Sequence, residues 1–421
     1  MKISIVGTGY VGLVSATCFA KLGHNVICVD IDKEKVDKIN NGSSPIYEKD
    51  LEDLLKKYKN NIHATTSYKE AIEKSNITFI CVGTPSREDG DIDLSYVDKA
   101  TEEIGLLLKN KEGFHIVIVK STVVPGTTQK HTLPLLEKTS GKKAGKDFGV
   151  GMNPEFLREG VAIDDFLNPD RVVNGYYDEK TKQTLKELYK DFSCPIVETN
   201  LTTAEMIKYA SNCFLAAKIS FINEIGNFCK KLGIDTYKVA DGMGLDKRIQ
   251  RAFLNSGIGW GGSCFPKDTK ALSAWAKKEK IPSKMIDSTI DVNEEQPLQL
   301  IKILKKHIPS LKGKTIGLLG LAFKPDTDDI RDTRSLPIAK KLLLEGAKVK
   351  AYDPKAMNQF KKLYPNIKYC KKAEEVIDAD AVIIATAWEE FKELDYKGKI
   401  VIDGRRLGKL KNTRIYEGVC W

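Results

Sequence analysis

The first thirty residues alternate between short apolar runs and a glycine-rich turn. Residues 2–6 and 25–30 are apolar and β-branched, and the stretch between them has a helical pattern that ends at Gly23. Further strand-like runs occupy residues 77–82 and 115–119. Because strands that alternate with helical segments are typical of parallel sheets, this part of the chain is predicted to form a doubly wound α/β fold.

A different pattern begins near residue 200. Thr202 and Glu205 stand three positions apart, as in a capping box, and predict a helix that runs to Leu232 and ends at Gly233. Apolar residues recur at a spacing of seven along this segment, at Ile207, Phe214, Phe221 and Phe228. A helix of this length would span roughly 45 Å. The stripe is therefore expected to lie in a core or in a seam between subunits.

The first pattern returns after residue 314. Residues 315–320 resemble a strand and a glycine turn, and residues 348–353 resemble a strand that ends in an aspartate, as at Asp30. Residues 381–385 form a further apolar run. Phe323 stands where a third glycine would be expected, so the ligand of this part should differ from that of the first.

The length of the chain agrees with several domains, because 421 residues exceed what a single hydrophobic core organises. We predict an α/β protein with two Rossmann-like doubly wound domains joined by a helical middle domain that contains the long spine helix. The boundaries are placed at residues 1–198 for the N-terminal domain, 199–298 for the middle domain and 299–421 for the C-terminal domain.

Composition narrows the function classes. The net charge is +10, but the lysines are scattered through helical segments, so nucleic acid is not expected as a partner. A modest positive excess suits a small polyanionic substrate such as a diphosphate. No apolar stretch is long enough to cross a bilayer and no signal peptide is visible, so a cytoplasmic protein is expected. The nine cysteines contain no Cys-x-x-Cys pair, which argues against a metal site.

The turn after the first strand carries the pattern G-x-G-x-x-G. Gly7 permits the turn, Gly9 lets a pyrophosphate approach the backbone, and Gly12 allows close packing of helix and strand. Asp30 lies at the end of the second strand, where a carboxylate accepts hydrogen bonds from a ribose 2′-hydroxyl and repels a 2′-phosphate. The cofactor is therefore predicted to be NAD and not NADP. A tight turn without a ligand is the alternative.

A second glycine-rich loop, residues 257–264, ends in Cys264 and runs into a helix whose first position suits Pro266. A helix N-terminus and the nearby Lys267 both favour the thiolate form of a cysteine. Asp268 follows one helical turn further on. A cysteine can also be a small core residue, but the glycines and polar neighbours argue for a nucleophile. Such a thiolate would trap an aldehyde, and loss of a second hydride would leave a thioester for water to cleave.

The whole chain resembles the UDP-glucose/GDP-mannose dehydrogenase family. The resemblance rests on residues 7–12, residues 153–160 (NPEFLREG), the Cys264 loop and residues 320–324 (GLAFK). It implies an NAD-dependent oxidoreductase that converts UDP-glucose to UDP-glucuronate in two oxidation steps. It also implies a homodimer or higher homo-oligomer formed through the middle domain.

The resemblance implies catalytic roles for Cys264, Lys208, Asp268, Asn212, Thr122 and Glu155. In these roles Lys208 stabilises an oxyanion with help from Asn212, and Asp268 partners the lysine and orders water. It implies cofactor contacts by Gly7, Gly9, Tyr10, Val11, Gly12, Asp30, Lys35, Thr84, Thr122, Glu159, Lys267 and Arg331. It implies substrate contacts by Glu155, Phe156, Leu157, Lys208, Asn212, Arg248, Phe253, Gly261, Phe323 and Lys324. Among these, Arg248 would reach the substrate of the neighbouring subunit.

Alternatives remain open at this stage. The same chemistry could act on GDP-mannose or on a UDP-N-acetylhexosamine. A two-electron 3-hydroxyacid dehydrogenase shares the fold but needs no thiol, and the Cys264 loop argues against a non-enzymatic dinucleotide sensor. For individual residues, Lys208 and Asn212 could form a solvated helix face, and Glu155 and Glu159 could be ordinary turn carboxylates. Arg248 belongs to a basic stretch, residues 247–251, that could simply be surface.

Overall fold

The computed structural model describes residues 1–421, which group into two compact units. The first unit comprises residues 1–210 and the second residues 211–421. Each is built around its own largely parallel sheet. The boundaries predicted for three domains remain a prediction, because the division into two compact units does not test them.

The first unit contains an eight-stranded sheet in the order β3-β2-β1-β4-β5-β6-β7-β8. Its strands are β1 Lys2–Val6, β2 Asn25–Val29, β3 Ile62–Thr65, β4 Ile77–Ile80, β5 His115–Val119, β6 Phe148–Met152, β7 Val172–Tyr176 and β8 Ile196–Thr199. Only the pairing of β6 with β7 is antiparallel. Strands β4, β5 and β6 are buried along their full length, because helices cover both faces of a doubly wound sheet.

The helices of the first unit connect these strands. They are α1 Tyr10–Lys21, α2 Lys33–Asn40, α3 Leu51–Lys57, α4 Tyr68–Lys74, α5 Ser95–Leu108, α6 Leu133–Ser140, α7 Ala162–Leu167 and α8 Glu179–Leu188, with a 3-10 turn at Lys59–Asn61 and a π-helical turn at Thr128–Thr132. Helix α1 follows the glycine turn directly and ends before Gly23, which has a φ of 86°. The predicted strand–turn–helix–strand unit at the N-terminus is therefore confirmed.

The long helix α9 spans Leu201–Leu232, and Gly233 follows it with a φ of 70°, as expected. The predicted capping box was wrong. Asn200 caps the helix instead, because its Oδ1 accepts the N–H of Thr203 at 2.8 Å. Glu205 is fully buried, and its carboxylate accepts the N–H groups of Gly126 and Thr128, so it cannot fold back onto its own helix.

The apolar stripe of α9 does not lie in a core within the chain. Phe214, Phe221 and Phe228 are 66%, 48% and 57% exposed. The core alternative for these phenylalanines was therefore wrong. An exposed row of three aromatic side chains on one helix is unusual for a surface that only contacts water.

The second unit contains a six-stranded, fully parallel sheet in the order β11-β10-β9-β12-β13-β14. Its strands are β9 Thr315–Leu319, β10 Lys348–Tyr352, β11 Lys368–Tyr369, β12 Ala381–Ile384, β13 Asp395–Asp403 and β14 Lys411–Gly418. Its helices are α10 Thr236–Gly244, α11 Phe265–Lys278, α12 Lys284–Glu295, α13 Leu298–His307, α14 Ser335–Leu344, α15 Met357–Leu363 and α16 Ala373–Ile377, with a 3-10 turn at Glu389–Lys392.

The two sheets and the long helix confirm the predicted fold class. Gly320, at the end of β9, has a φ of 91°, as Gly7 has 96° at the end of β1. The two aspartates at the equivalent strand ends differ. Asp353 is fully enclosed, and its Oδ2 accepts the N–H groups of Leu321 and Ala322, whereas Asp30 is only partly buried. The second glycine turn is thus closed on itself. No helix of the protein is long and apolar enough to cross a membrane.

Candidate active site

The glycine turn after β1 has the geometry of a phosphate-binding loop. A Cβ on Gly12 would lie 1.9 Å from the carbonyl oxygen of Gly7, so only glycine allows α1 to approach the strand this closely. A Cβ on Gly9 would meet nothing within 4 Å. The open side of Gly9 faces the N-terminal end of α1, where unpaired N–H groups favour an anion. The turn therefore fits the pyrophosphate of a dinucleotide. Tyr10 and Val11 follow at the start of α1, both half-buried.

Asp30 is fixed beside this turn. Its Oδ2 accepts the N–H and the hydroxyl of Thr8 at 2.8 and 2.6 Å, and its Oδ1 accepts the N–H of Asp32. Burial acts to raise the pKa of Asp30, but these bonds and the charge of Lys35 outweigh it and hold the pKa below its ordinary value. The carboxylate is ionised at neutral pH, and Oδ1 keeps a lone pair for a ribose hydroxyl.

Thr84 and Thr122 are brought together at the ends of β4 and β5. The hydroxyl of Thr84 donates to the carbonyl oxygen of Thr122 at 2.9 Å. The chain that follows Thr122 is anchored by Glu205 through the N–H groups of Gly126 and Thr128. This anchor could not be recognised from the sequence, because the spacing of Thr202 and Glu205 resembles a capping box.

Glu155 and Lys208 form a buried ion pair at 3.0 Å, with both side chains less than a tenth exposed. Burial alone would raise the pKa of Glu155, but the charge of Lys208 and the N–H of Leu157 hold it below its ordinary value. The Lys208 ammonium also lies 5.3 Å from the ring centre of Phe156. This burial excludes the solvated face as an account of Lys208 and the ordinary turn as an account of Glu155.

Lys120, at the end of β5, was not identified from the sequence. It is 4% exposed, and its Nζ donates to Oδ1 of Asn153 at 2.8 Å. Burial lowers the pKa of Lys120 to about 8. The available signal was a lysine that directly follows a run of four apolar strand residues, Ile116 to Val119.

The segment that holds Glu159 is tied to the cofactor turn. Gly160 donates its N–H to Glu48 and to the hydroxyl of Tyr10, and the charge of Glu159 acts on the same hydroxyl. Tyr10 and Glu159, both expected to contact the cofactor, are therefore neighbours.

Cys264 occupies the N-cap position of α11, with its side chain half-buried. The sequence predicted Pro266 at the first position of the helix. Helix α11 begins at Phe265, so Pro266 stands at its second position. Ser263 lies next to Cys264, with its hydroxyl oxygen 3.5 Å from the Cys264 sulfur. The N-terminal end of α11 carries partial positive charge, which stabilises a thiolate at this position.

The Asp268 side chain bonds to two other side chains, and its backbone N–H bonds to Cys264. It is 1% exposed, with Oδ2 accepting from Asn212 Nδ2 and Oδ1 accepting from Lys267 Nζ, each at 2.6 Å. Its own N–H donates to the carbonyl oxygen of Cys264 at 2.9 Å. The burial of Asn212, at 6% exposed, excludes a solvated helix face. Asn212, Lys267 and Asp268 therefore form one hydrogen-bonded group attached to the Cys264 turn.

The Cys264 loop packs closely on the segment that follows β9. A Cβ on Gly261 would lie 2.3 Å from the carbonyl oxygen of Asp332, and a Cβ on Gly262 would meet the ring of Phe323 at 2.8 Å. Gly262 also donates its N–H to the carbonyl oxygen of Arg331. The Lys324 ammonium lies 5.6 Å from the ring centre of Phe323. Four of the predicted ligand-binding positions are thus gathered around this loop.

The remaining predicted residues are more exposed. Arg331 makes a forked ion pair with Asp329 while its side chain stays 64% exposed. Arg248 pairs with Asp246, and its side chain is 88% exposed. Phe253 has a φ of 64° and lies with its ring centre 6.4 Å from that of Phe265. Arg248 is thus exposed at the surface, where another molecule could contact it.

A glycine turn that fits a dinucleotide and a loop cysteine at a helix N-terminus define a dinucleotide-dependent oxidoreductase. Sequence profiles of the UDP-glucose/GDP-mannose dehydrogenase family match the chain in three parts, namely the NAD binding domain at residues 1–193, the central domain at 202–295 and the UDP binding domain at 317–409. The chain belongs to this family, and its cofactor is NAD.

Known relatives cover the chain from end to end. The UDP-glucose 6-dehydrogenase AglM of Haloferax volcanii is 43% identical, with 100% of both chains aligned. The GDP-mannose 6-dehydrogenase of Pseudomonas aeruginosa is 38% identical, also over 100% of both chains. The solved structure of a UDP-glucose dehydrogenase from Pyrobaculum islandicum is 42% identical and has a TM-score of 0.95, covering 100% of this chain and 97% of that one.

The position of Asp30 generates a prediction about cofactor choice. The native enzyme should strongly prefer NAD, because the Asp30 carboxylate repels a 2′-phosphate. Asp30→Ala should narrow the NAD/NADP ratio of kcat/KM by about tenfold or more. Steady-state kinetics with both cofactors measures the ratio, with Asp37→Ala, an exposed carboxylate on α2, as the control. Equal use of NAD and NADP by the native enzyme would contradict the role of Asp30 in selecting the cofactor.

Proposed function

We propose that the protein oxidises UDP-glucose to UDP-glucuronate through a covalent adduct on Cys264, with two NAD reduced per sugar. The observation that carries this proposal is the half-buried Cys264 at the N-terminus of α11, attached to the buried group of Asn212, Lys267 and Asp268. An oxidation that stopped at a ketone would need no such thiol. UDP-glucose is preferred over GDP-mannose because relatives named for UDP-glucose are 42–45% identical and those named for GDP-mannose 37–38%.

NAD, when bound, accepts the hydride released in each of the two oxidations. In the first, the C6 carbon of glucose loses a hydride and the C6 hydroxyl loses a proton, which leaves an aldehyde. Glu155 is ionised at neutral pH because Lys208 holds its pKa down, so it can receive that proton directly or through a water. Thr122 is proposed to hold this water.

The Cys264 thiolate then adds to C6 of the aldehyde and forms a carbon–sulfur bond. The electron pair of the carbonyl moves to oxygen, and Lys208 and Asn212 are proposed to stabilise the resulting negative charge. Loss of the second hydride from C6 converts the adduct to a thioester. Water attacks the thioester carbon, the carbon–sulfur bond breaks, and the thiolate leaves as the carboxylate forms. Asp268 is proposed to order the attacking water.

The exposed stripe of α9 supports a homodimer. Phe214, Phe221 and Phe228 form a row of aromatic side chains on one helix, and such a row is a frequent core of subunit interfaces. Arg248, an exposed residue of the second unit, is proposed to contact the substrate of the partner subunit. The proposed nucleophile must stay a reduced thiol to react, so a reducing, cytoplasmic location is part of this proposal.

The thiol mechanism predicts distinct outcomes for two substitutions. Cys264→Ala should abolish carboxylate formation while leaving UDP-glucose binding intact, because only the second oxidation needs the adduct. Cys264→Ser should accumulate an ester, because an alkoxide leaves less readily than a thiolate. Mass spectrometry of products and of intact protein distinguishes these outcomes, with UDP-glucose, GDP-mannose and UDP-N-acetylglucosamine tested in parallel. The control is Cys194→Ala, which changes another half-buried cysteine. Near-normal carboxylate formation by Cys264→Ala would refute the covalent mechanism.

The dimer proposal predicts an effect of charge on the α9 stripe. Phe221→Glu should convert a dimer to a monomer in analytical ultracentrifugation, because a charged group would be buried in the interface. Leu344→Glu, which changes another exposed apolar side chain, should leave the dimer intact. A native monomer at micromolar concentration would contradict both the dimer and the role of Arg248 in the partner's site.

A further inference from the structure

One buried carboxylate in the first unit, that of Glu48, accepts hydrogen bonds from two different parts of the chain. Glu48 lies between α2 and α3 and is 7% exposed. Its Oε2 accepts the hydroxyl of Tyr10 and the N–H of Gly160, the latter at 2.7 Å. Its Oε1 accepts the N–H of Ala162 at 2.8 Å.

The donors on Glu48 belong to the two segments that bracket the predicted ligands of this unit. Tyr10 is the first residue of α1 and directly follows Gly9, at the open side of the cofactor turn. Gly160 ends the segment that begins with the Glu155 carboxylate, and it has a φ of 88°. A movement of either segment therefore changes a hydrogen bond to the same Glu48 carboxylate, which also holds the other segment.

Glu48 also performs the capping that the local sequence does not provide. Helix α7 begins at Ala162, and the residue before it, Val161, makes no side-chain hydrogen bond to the helix. The carboxylate of Glu48 takes the N–H of Ala162, the first residue of α7. A negative charge at this end of a helix is stabilising. The end of the Glu155 segment is thus held by Glu48 and not by its own residues.

The Tyr10 hydroxyl stays protonated across the physiological pH range and can therefore donate to Glu48 throughout. Burial first, and then the bond to Glu48, raise the pKa of the Tyr10 phenol above its ordinary value, so the hydroxyl remains a donor. A shift of Tyr10 on cofactor binding would pull on the same oxygen that holds Gly160.

We propose that Glu48 is a positioning residue that couples cofactor binding at Tyr10 to nucleotide-sugar binding in the segment that begins at Glu155 and ends at Gly160. This inference rests on the proposed function, in which Glu155, at the start of this segment, contacts the sugar. Either ligand orders the cluster, and the second ligand then binds to a segment that is already ordered. By linkage, each ligand raises the affinity for the other by the same factor.

The test uses NADH, because the reduced cofactor cannot accept a hydride and the complex with UDP-glucose does not turn over. In the native protein, saturating UDP-glucose should tighten NADH binding by about fivefold or more in isothermal titration calorimetry. Glu48→Gln keeps the shape but replaces one acceptor oxygen by an amide N–H₂ that faces other donors. This variant should reduce the effect to less than about twofold, within the range of no coupling.

Two further variants separate coupling from stability. Tyr10→Phe removes only the hydroxyl, so it should weaken the coupling while the N–H groups of Gly160 and Ala162 still donate to Glu48. Glu52→Gln changes an exposed glutamate that pairs with Lys56, and it should retain native coupling. A purely structural Glu48 would lower the melting temperature of Glu48→Gln and leave the coupling factor unchanged, which would overturn the proposal.

A native protein that shows no coupling would also overturn it. Failure of the UDP-glucose proposal appears separately, as absence of NADH formation with that sugar. In that case the coupling is measured with whichever nucleotide sugar the native enzyme oxidises, and the same outcomes apply.

Discussion

Buried carboxylates that accept backbone N–H groups hold the loops of both units. Each such group would cost several kcal/mol if left without donors, so the loop must supply N–H groups at fixed positions. Asp30 orders the cofactor turn, and Asp353 closes the second glycine turn. Glu48 holds the chain at Gly160 and Ala162, and Glu205 holds the segment after Thr122. Each of these loops is therefore tied to the fold at the residues whose N–H groups donate to the carboxylate.

The same constraint organises the residues proposed to carry the reaction. Glu155 is buried but ionised because Lys208 pairs with it, and Asp268 is buried with Asn212 and Lys267 as donors. Breaking one partner of a buried pair leaves an uncompensated charge, so these groups are expected to act as units. An arrangement of this kind is already oriented before substrate arrives, which is the condition for electrostatic stabilisation of a developing oxyanion.

Much of the fold could be predicted because it depends on local pattern. Strands β1 and β5 match their predicted limits, and the glycines at positions 7 and 12 are required by contacts that no other residue allows. The opening of α9 could not be predicted correctly, since the donors that capture Glu205 come from residues 126 and 128. The pattern of spacing identified the phenylalanine stripe but not whether its partner lies in the same chain.

The candidate site was predictable where a residue type and its neighbours in sequence carry the signal, as for Cys264 and Asp30. Glu48 and Lys120 were missed because their partners are distant in sequence. The buried Lys120 donates to Asn153, and the buried Glu48 accepts from Tyr10 and Gly160. Each of these polar groups is satisfied by a partner that lies far away in the sequence. No local pattern distinguishes such a glutamate from an exposed one.

The central claim is that one active site removes four electrons from C6 of one sugar. The most direct measurement is the yield of NADH when UDP-glucose is limiting and NAD is in excess, with the sugar product identified by mass spectrometry. The account predicts two NADH per UDP-glucose consumed and UDP-glucuronate as the product. One NADH per sugar, with an aldehyde or ketone as the product, would contradict it.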